Sequence, residues 1–320
     1  MPAPIVLDRS VSPGGQDRIR RRPMAPVRAG AIDLAPALRP VDALRLIGLD
    51  CLAHLQQNHA GALGSEDPEY IHQMRVALRR LRAALRLFRP ALPERFAADL
   101  LPPLRRLAQT LGRARDLDVL MRDILAPVLA ERPDDAPLRV LAEVIGQGLQ
   151  QARSEARRAL RRPGYGRLLR QVGARLREPG PGPAKADAVR LRRFARRRLR
   201  KLQCRVLALA AGARQDDPLS LHRLRIGIKR LRYGLEFFAS LLPRRRVEKQ
   251  LRLLVGLQDA LGRLNDLANA GAPLLACAGR DARLGAAVGR VAAWHGRRHA
   301  DLLAAIRPAL KKLARQRLPR

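Results

Sequence analysis

The sequence predicts an all-α protein made of two similar helical bundles, and three observations carry that prediction. Leu, Ala and Arg, all strong helix formers, dominate the 320 residues, whereas aromatic residues make up 3% and threonine occurs once, at Thr110. A Pro/Gly-rich stretch, EPGPGPAKAD from Glu178 to Asp187, divides the chain near its middle. The two halves then repeat each other. DPEYIHQMRVALRRLRAALRLFRPALP, from Asp67 to Pro93, aligns without gaps on DPLSLHRLRIGIKRLRYGLEFFASLLP, from Asp217 to Pro243, at a shift of 150 residues. The same register places LGRARDL (Leu111 to Leu117) on LGRLNDL (Leu261 to Leu267), and 20 of the 51 positions between Asp67 and Leu117 are identical. Shared composition would scatter Leu and Arg matches; it would not also pair Asp-Pro, His, Phe and Gly-Arg in one register. An internal duplication relating the halves by approximate two-fold symmetry is the expectation.

Taken in chain order, residues 1–35 are rich in Pro, Gly and Arg without helical period, and read as a flexible arm. Residues 36–178 form the first bundle, 179–188 a Pro/Gly linker and 189–320 the second bundle. In the first repeat, Asp67 followed by Pro68 is an N-cap before a proline at the first helical position, and Asp217 with Pro218 repeats it. Gly112 and Gly262 read as helix ends, with Asp116 and Asp266 capping the helix that follows. The three cysteines, Cys51, Cys204 and Cys277, lack CxxC spacing and read as packing residues, as does Trp294.

The helix after each Asp-Pro carries two faces. At 100° per residue, Met74, Leu78, Leu81, Leu85 and Phe88 share a stripe expected to face a core. His72, Arg75, Arg79, Arg82 and Arg86 share a second strip about 80° wide beside it. The second repeat places His222, Arg225, Lys229 and Arg232 at the same angles, with Glu236 where the first has Arg86. Arg193, Arg197 and Arg200 form a further i, i+4, i+7 row. Like charges at these spacings destabilise an isolated helix by a few tenths of a kcal/mol per pair. Such a strip makes sense if an anion lies along it.

Net charge says the same at larger scale. The 64 Lys and Arg outnumber 28 Asp and Glu, a formal +36; lysines are only six, Lys185, Lys201, Lys229, Lys249, Lys311 and Lys312, so 64 minus 6 leaves 58 arginines. Charge of this size disfavours the compact state unless polyanions neutralise it. Hydrophobic residues at 47% exclude a disordered basic tail. The sequence has neither a membrane-length apolar run nor a secretory leader at its N-terminus, so a cytoplasmic protein is expected. Guanidinium forks suit bidentate phosphate contacts, and the histidines would donate to an anion more strongly when protonated near pH 6.5.

IHQMRVALRRLRAALRLF and LHRLRIGIKRLRYGLEFF, each followed by LGR-x-R/N-D-L, resemble the CHAD family, the conserved-histidine α-helical domain, over about residues 38 to 316. The resemblance implies a pair of four-helix bundles about a pseudo-two-fold axis, with a basic cavity between them that binds inorganic polyphosphate, and an association with polyphosphate granules. It places His72, Arg75, Arg79 and Arg82 on one wall and His222, Arg225, Lys229 and Arg232 on the other. Arg80 and Arg230 also match its pattern, although they sit about 80° from the histidines on the side away from the strip. Arg86, Arg193 and Arg197 complete the expected contacts. The triphosphatase ExExK motif of some fused relatives is absent, so the expectation is a stand-alone binder, with no catalytic residues, cofactor or metal.

Two other readings stay open. General basicity would serve weak non-specific nucleic-acid binding, although stacking aromatics are scarce and no duplex-reading motif is present. Phosphoryl transfer with His72 or His222 as acid, base or acceptor lacks nearby acids to hold a divalent metal. His295 and His299 stand at metal-ligand spacing, but HGRRH lacks the Glu of HExxH and adds two cations, so a non-metal role is expected. His54 and His59 have no equivalents in the other repeat and read as surface or core residues. Oligomeric state has no sequence signature.

Overall fold

The computed structural model describes residues 25–179, 190–214 and 217–315, apart from the Ala305 side chain. The first 24 residues of the expected arm and all but the first residue of the expected linker lie outside the described residues. The order is α1 (Pro40–Gln57), a short α2 (His59–Gly64), α3 (Pro68–Phe88), α4 (Phe96–Val119), a π-helical turn (Leu120–Leu125), α5 (Ala126–Glu131), α6 (Ala136–Arg161) and α7 (Pro163–Arg177). After the central break come α8 (Leu191–Ala211), α9 (Pro218–Phe237), α10 (Arg244–Ala278) and α11 (Ala282–Arg315). No strand occurs among the described residues, and no helix there is long and apolar enough to cross a membrane.

Local chemistry sets the helix starts. Asp67 Oδ1 accepts from the Glu69 amide at 2.8 Å and Asp217 Oδ1 from the Leu219 amide at 2.9 Å, each beside a proline that has no amide proton to satisfy. Each α3 or α9 then ends in a 3-10 turn, Arg89–Ala91 or Ala239–Leu241, before α4 or α10 begins.

The apolar stripe is the interior. Met74, Leu78, Leu81, Leu85 and Phe88 are at most 1% exposed, and so are their counterparts at the 150-residue shift, Leu224, Ile228, Leu231, Leu235 and Phe238. Phe88 and Phe238 meet at a ring separation of 5.5 Å, with Phe194 of α8 completing a three-ring contact. The principal core therefore runs unbroken through both halves. A smaller core on the far side also draws on both, packing Leu120, Leu125, Leu138 and Ile145 against Leu274, Val288, Val291 and Trp294. Truncating any of these buried leucines to alanine costs about 2–5 kcal/mol.

Three local readings change. Residues 25–35, expected as the end of the arm, are tied to the body: Val27 exchanges backbone-to-amide bonds with Asn58 at 3.0 and 2.9 Å, Leu34 is 1% exposed, and its amide donates to Ser240 Oγ. Gly112 and Gly262 lie inside α4 and α10 rather than at helix ends, so Asp116 and Asp266 are mid-helix side chains and not caps. Cys204 is exposed, whereas Cys51 is buried.

Candidate functional site

The polar strips of α3 and α9 open on a common groove of about 1250 Å³, closed on its sides by α4, α8 and α10. Thirteen Lys and Arg side chains line it against two carboxylates, Asp116 and Asp266. Arg75, Arg79, Arg82 and Arg86 come from α3; Arg225, Lys229 and Arg230 come from α9. A helix rises about 1.5 Å per residue, so residues three or four apart put cations about 4.5 to 6 Å apart along the wall. The groove floor is apolar, with Tyr233 and Phe237 at 2% and 0% exposure.

Few acceptors inside the protein hold these cations. Arg79 Nε donates to Tyr233 Oη at 2.6 Å and so links the two walls. Arg75 donates to the Ala108 carbonyl at 3.2 Å and lies 3.5 Å from Asp116, one of the two carboxylates. Burial pulls the Arg75, Arg82, Arg86 and Arg230 guanidinium pKa values below the usual arginine value, and neighbouring arginines add to the effect. They remain charged at neutral pH. Lys229 does not have that reserve: burial first, then Arg79, Arg225, Arg82 and Arg230, bring it down to about 7. The groove is a partly desolvated concentration of positive charge that Asp116, Asp266 and Glu155, the last 2.9 Å from Arg113, offset only in part.

The same chemistry explains Gly112. A Cβ there would come within 2.6 Å of Arg75 Nη1, so the glycine is the seat on which that guanidinium rests, whereas a Cβ on Gly262 meets nothing within 4 Å. Gly112→Ala should therefore stabilise α4 by no more than about 0.5–1 kcal/mol while displacing Arg75. Anion affinity should drop about threefold, against no change for Gly262→Ala, as titration calorimetry of both variants would report.

Other expected residues stand elsewhere. Arg80 is buried at 6% exposure; it donates to Glu236 Oε2 at 2.9 Å and lies over the Phe237 ring, tying α3 to α9 from behind the groove. Arg232 turns to the same Glu236 at 3.4 Å and over Tyr233, and does not line the groove. His222 also stands outside the lining, its Nδ1 2.6 Å from Asn265 Oδ1. His72 is likewise outside the lining, but the equivalent of Asn265 in the first repeat is Arg115, and the ring's surroundings differ. Burial and then the Arg115 charge lower its pKa to about 4, so the ring is neutral at pH 7, and its Nδ1 is buried without a partner among the described residues. Arg193 and Arg197 are exposed on the outer face of α8.

In their place α8 contributes Arg198, Lys201 and Arg205, and α4 contributes Arg105 and Arg113. The α8 residues border the buried stripe of Ala195, Leu199 and Val206, whereas Arg193 and Arg197 stand on the face opposite that stripe. That pattern was visible in the sequence once the apolar stripe of α8 was fixed. Arg105 and Arg113 had no such signal, because which face of α4 meets α3 depends on the packing.

Three further histidines, His54, His59 and His295, make contacts within the protein. His54 is 4% exposed with Nε2 2.9 Å from the Val27 carbonyl, and His59 stacks on Tyr165 at 4.7 Å. His295 lies with Nε2 2.8 Å from the Ile124 carbonyl, so that nitrogen carries the proton and is turned from metal ligation. No three His, Cys, Asp or Glu side chains cluster as metal ligands among the described residues.

The family described as "CHAD domain" matches residues 47–275. The crystal structure of the CHAD domain from the plant Ricinus communis is 35% identical to this chain, superposes with a TM-score of 0.79, and the match covers 92% of this chain and 99% of that one. PptA from Streptomyces chartreusis, at 17% identity, has a TM-score of 0.64 with 87% and 100% coverage and bears on the fold alone. No curated protein matches the chain.

Proposed function

This chain belongs to the CHAD domain family, and on that premise we propose that it binds inorganic polyphosphate along the groove between α3 and α9, without turning it over, in the cytoplasm at polyphosphate granules. The observation that carries the reading is the lining itself: thirteen cations, from α3 and the 3-10 turn after it, α4, α8 and α9, face one concave surface with two carboxylates among them. A flexible chain of closely spaced phosphates matches a row of cations about 5 Å apart. Its oxygens accept the bidentate bonds that guanidinium forks offer. Counterion release then drives binding, and each neutralised phosphate steepens the salt dependence.

Nucleic acid fits the same groove less well. Duplex readers insert a convex helix or ribbon into a DNA groove, whereas the cations here line a hollow. Single-strand binders stack bases on exposed aromatics, and the aromatics here are buried in the floor. Equilibrium binding of polyphosphate, duplex DNA and single-stranded RNA side by side across a salt titration tests the reading. Polyphosphate should bind tightest at equal phosphate concentration, with a log–log salt slope on the order of −5 if about seven cations engage. Equal or tighter binding of either nucleic acid overturns it.

Lys229 makes the reading pH-dependent. In the free groove it titrates at about 7, and a bound polyanion holds it protonated, so binding takes up a proton above that pH. Affinity should be flat below pH 7 and fall as pH rises from 7 toward 9, by up to about tenfold per unit. Lys229→Arg should flatten the profile, because arginine keeps its charge throughout.

A further inference from the structure

The cations of the groove are almost all arginines, and the position equivalent to Lys229 in the first repeat is Arg79. Arginine cannot give up its proton in a protein, while a lysine can, and as the free amine it is a nucleophile. Lys229 is half-buried, opens into the groove, and has neither a carboxylate partner nor a hydrogen-bond acceptor among the described residues. Arg79 and Arg82 approach it from α3 and Arg225 and Arg230 from its own helix. Lys201, the other lysine of the groove, is exposed on α8.

An amine set among guanidiniums that hold phosphate is placed to react with a molecule carrying its electrophile on a phosphate. We propose that Lys229 is an acylation site of this protein, modified by acyl phosphates that the groove binds through their phosphate group. The lone pair of Nζ attacks the carbonyl carbon, and the carbon–oxygen bond to the phosphate breaks. The phosphate leaves with that electron pair and takes up the proton released from nitrogen. The products are Nζ-acyl-Lys229 and inorganic phosphate, with no change of oxidation state. The guanidiniums that orient the donor also stabilise the departing phosphate. Burial and the surrounding arginines, which lower the Lys229 pKa to about 7, supply the neutral amine at physiological pH. Acylation turns an ammonium into a neutral amide, so it removes one cation from the groove. Acyl phosphate supply would thereby set how tightly the groove holds its anion.

The proposal shares with the preceding reading only the premise that the groove holds phosphate groups. The full chain is incubated at pH 7.5 with acetyl phosphate, and acetylation rates at the individual lysines are read by peptide mass spectrometry. A parallel arm uses the N-hydroxysuccinimide ester of acetic acid, which has no phosphate. With acetyl phosphate, Lys229 should react about tenfold faster than Lys201, the gain in neutral amine being discounted for the lower nucleophilicity of a less basic nitrogen. Pyrophosphate should suppress that rate, and the preference should shrink with the uncharged donor. A Lys229 rate no higher than that of Lys201, or a preference indifferent to pyrophosphate and to the donor's phosphate, overturns the proposal. Polyphosphate binding by the same preparation keeps the two readings apart: binding without Lys229 acetylation removes only this one, and selective acetylation without binding removes only the polyphosphate reading.

Discussion

Replacing Arg82, Arg86, Arg225 and Lys229 together by alanine is expected to weaken binding of long-chain polyphosphate by about 1000-fold at physiological salt, taking about 1 kcal/mol for each lost charged contact. All four line the groove. Arg75 and Arg79 are left in place because they serve the protein as well: the first bonds the Ala108 carbonyl and the second bonds Tyr233 Oη, whose ring is 2% exposed. The log–log salt slope should become shallower by about 3, which is four cations at about 0.7 each. Helical circular dichroism should be unchanged, since alanine is the better helix former. Arg193→Ala with Arg197→Ala is the matched control. Those two arginines are exposed on the outer face of α8, and their loss should cost less than about threefold through the long-range field alone.

The second large effect concerns stability. Glu236→Ala removes the acceptor of Arg80, whose side chain is 7% exposed and lies between α3 and α9. An uncompensated buried guanidinium costs about 3–5 kcal/mol, a fall in Tm of about 5–10 °C for a chain of this size. Arg232 loses its partner in the same step. Replacing Arg80 by Met and Glu236 by Leu together should recover most of the loss, because two apolar side chains of similar volume remove both desolvation costs. Thermal unfolding of the single and double variants checks this. Equal Tm values for Glu236→Ala and the unmodified protein would mean that Arg80 finds another acceptor.

These two predictions mark what was and was not legible in the sequence. A wheel at 100° per residue gives the faces of one helix, and it placed the core stripe of α3, from Met74 to Phe88, without structural help; the residues at the 150-residue shift, from Leu224 to Phe238, are buried in the same way. The Asp-Pro starts were equally local, since a cap is satisfied within its own first turn. What faces each strip is decided by other elements. Arg80 and Arg230 occupy equivalent wheel positions, yet Arg80 is clamped by Glu236 while Arg230 lines the groove beside α8. Glu236, read as a break in the second strip, is the buried acceptor for two arginines. Arg105 and Arg113 join the groove only because α4 packs along α3, and Gly112 sits inside a helix because the Arg75 guanidinium occupies the space its side chain would take. The histidines are the same lesson in electrostatics. Spacing cannot show that His72 faces Arg115 and stays neutral while His222 meets Asn265.

The central claim is that the groove between α3 and α9, and not the basic exterior at large, holds the polyanion. A crystal structure of the full chain grown with polyphosphate of defined medium length tests it most directly. Ordered phosphates should lie in the groove with oxygens in hydrogen-bond reach of Arg82, Arg225 and Lys229. Phosphates ordered instead on the outer face of α8 beside Arg193 and Arg197, with the groove open to solvent, would contradict it.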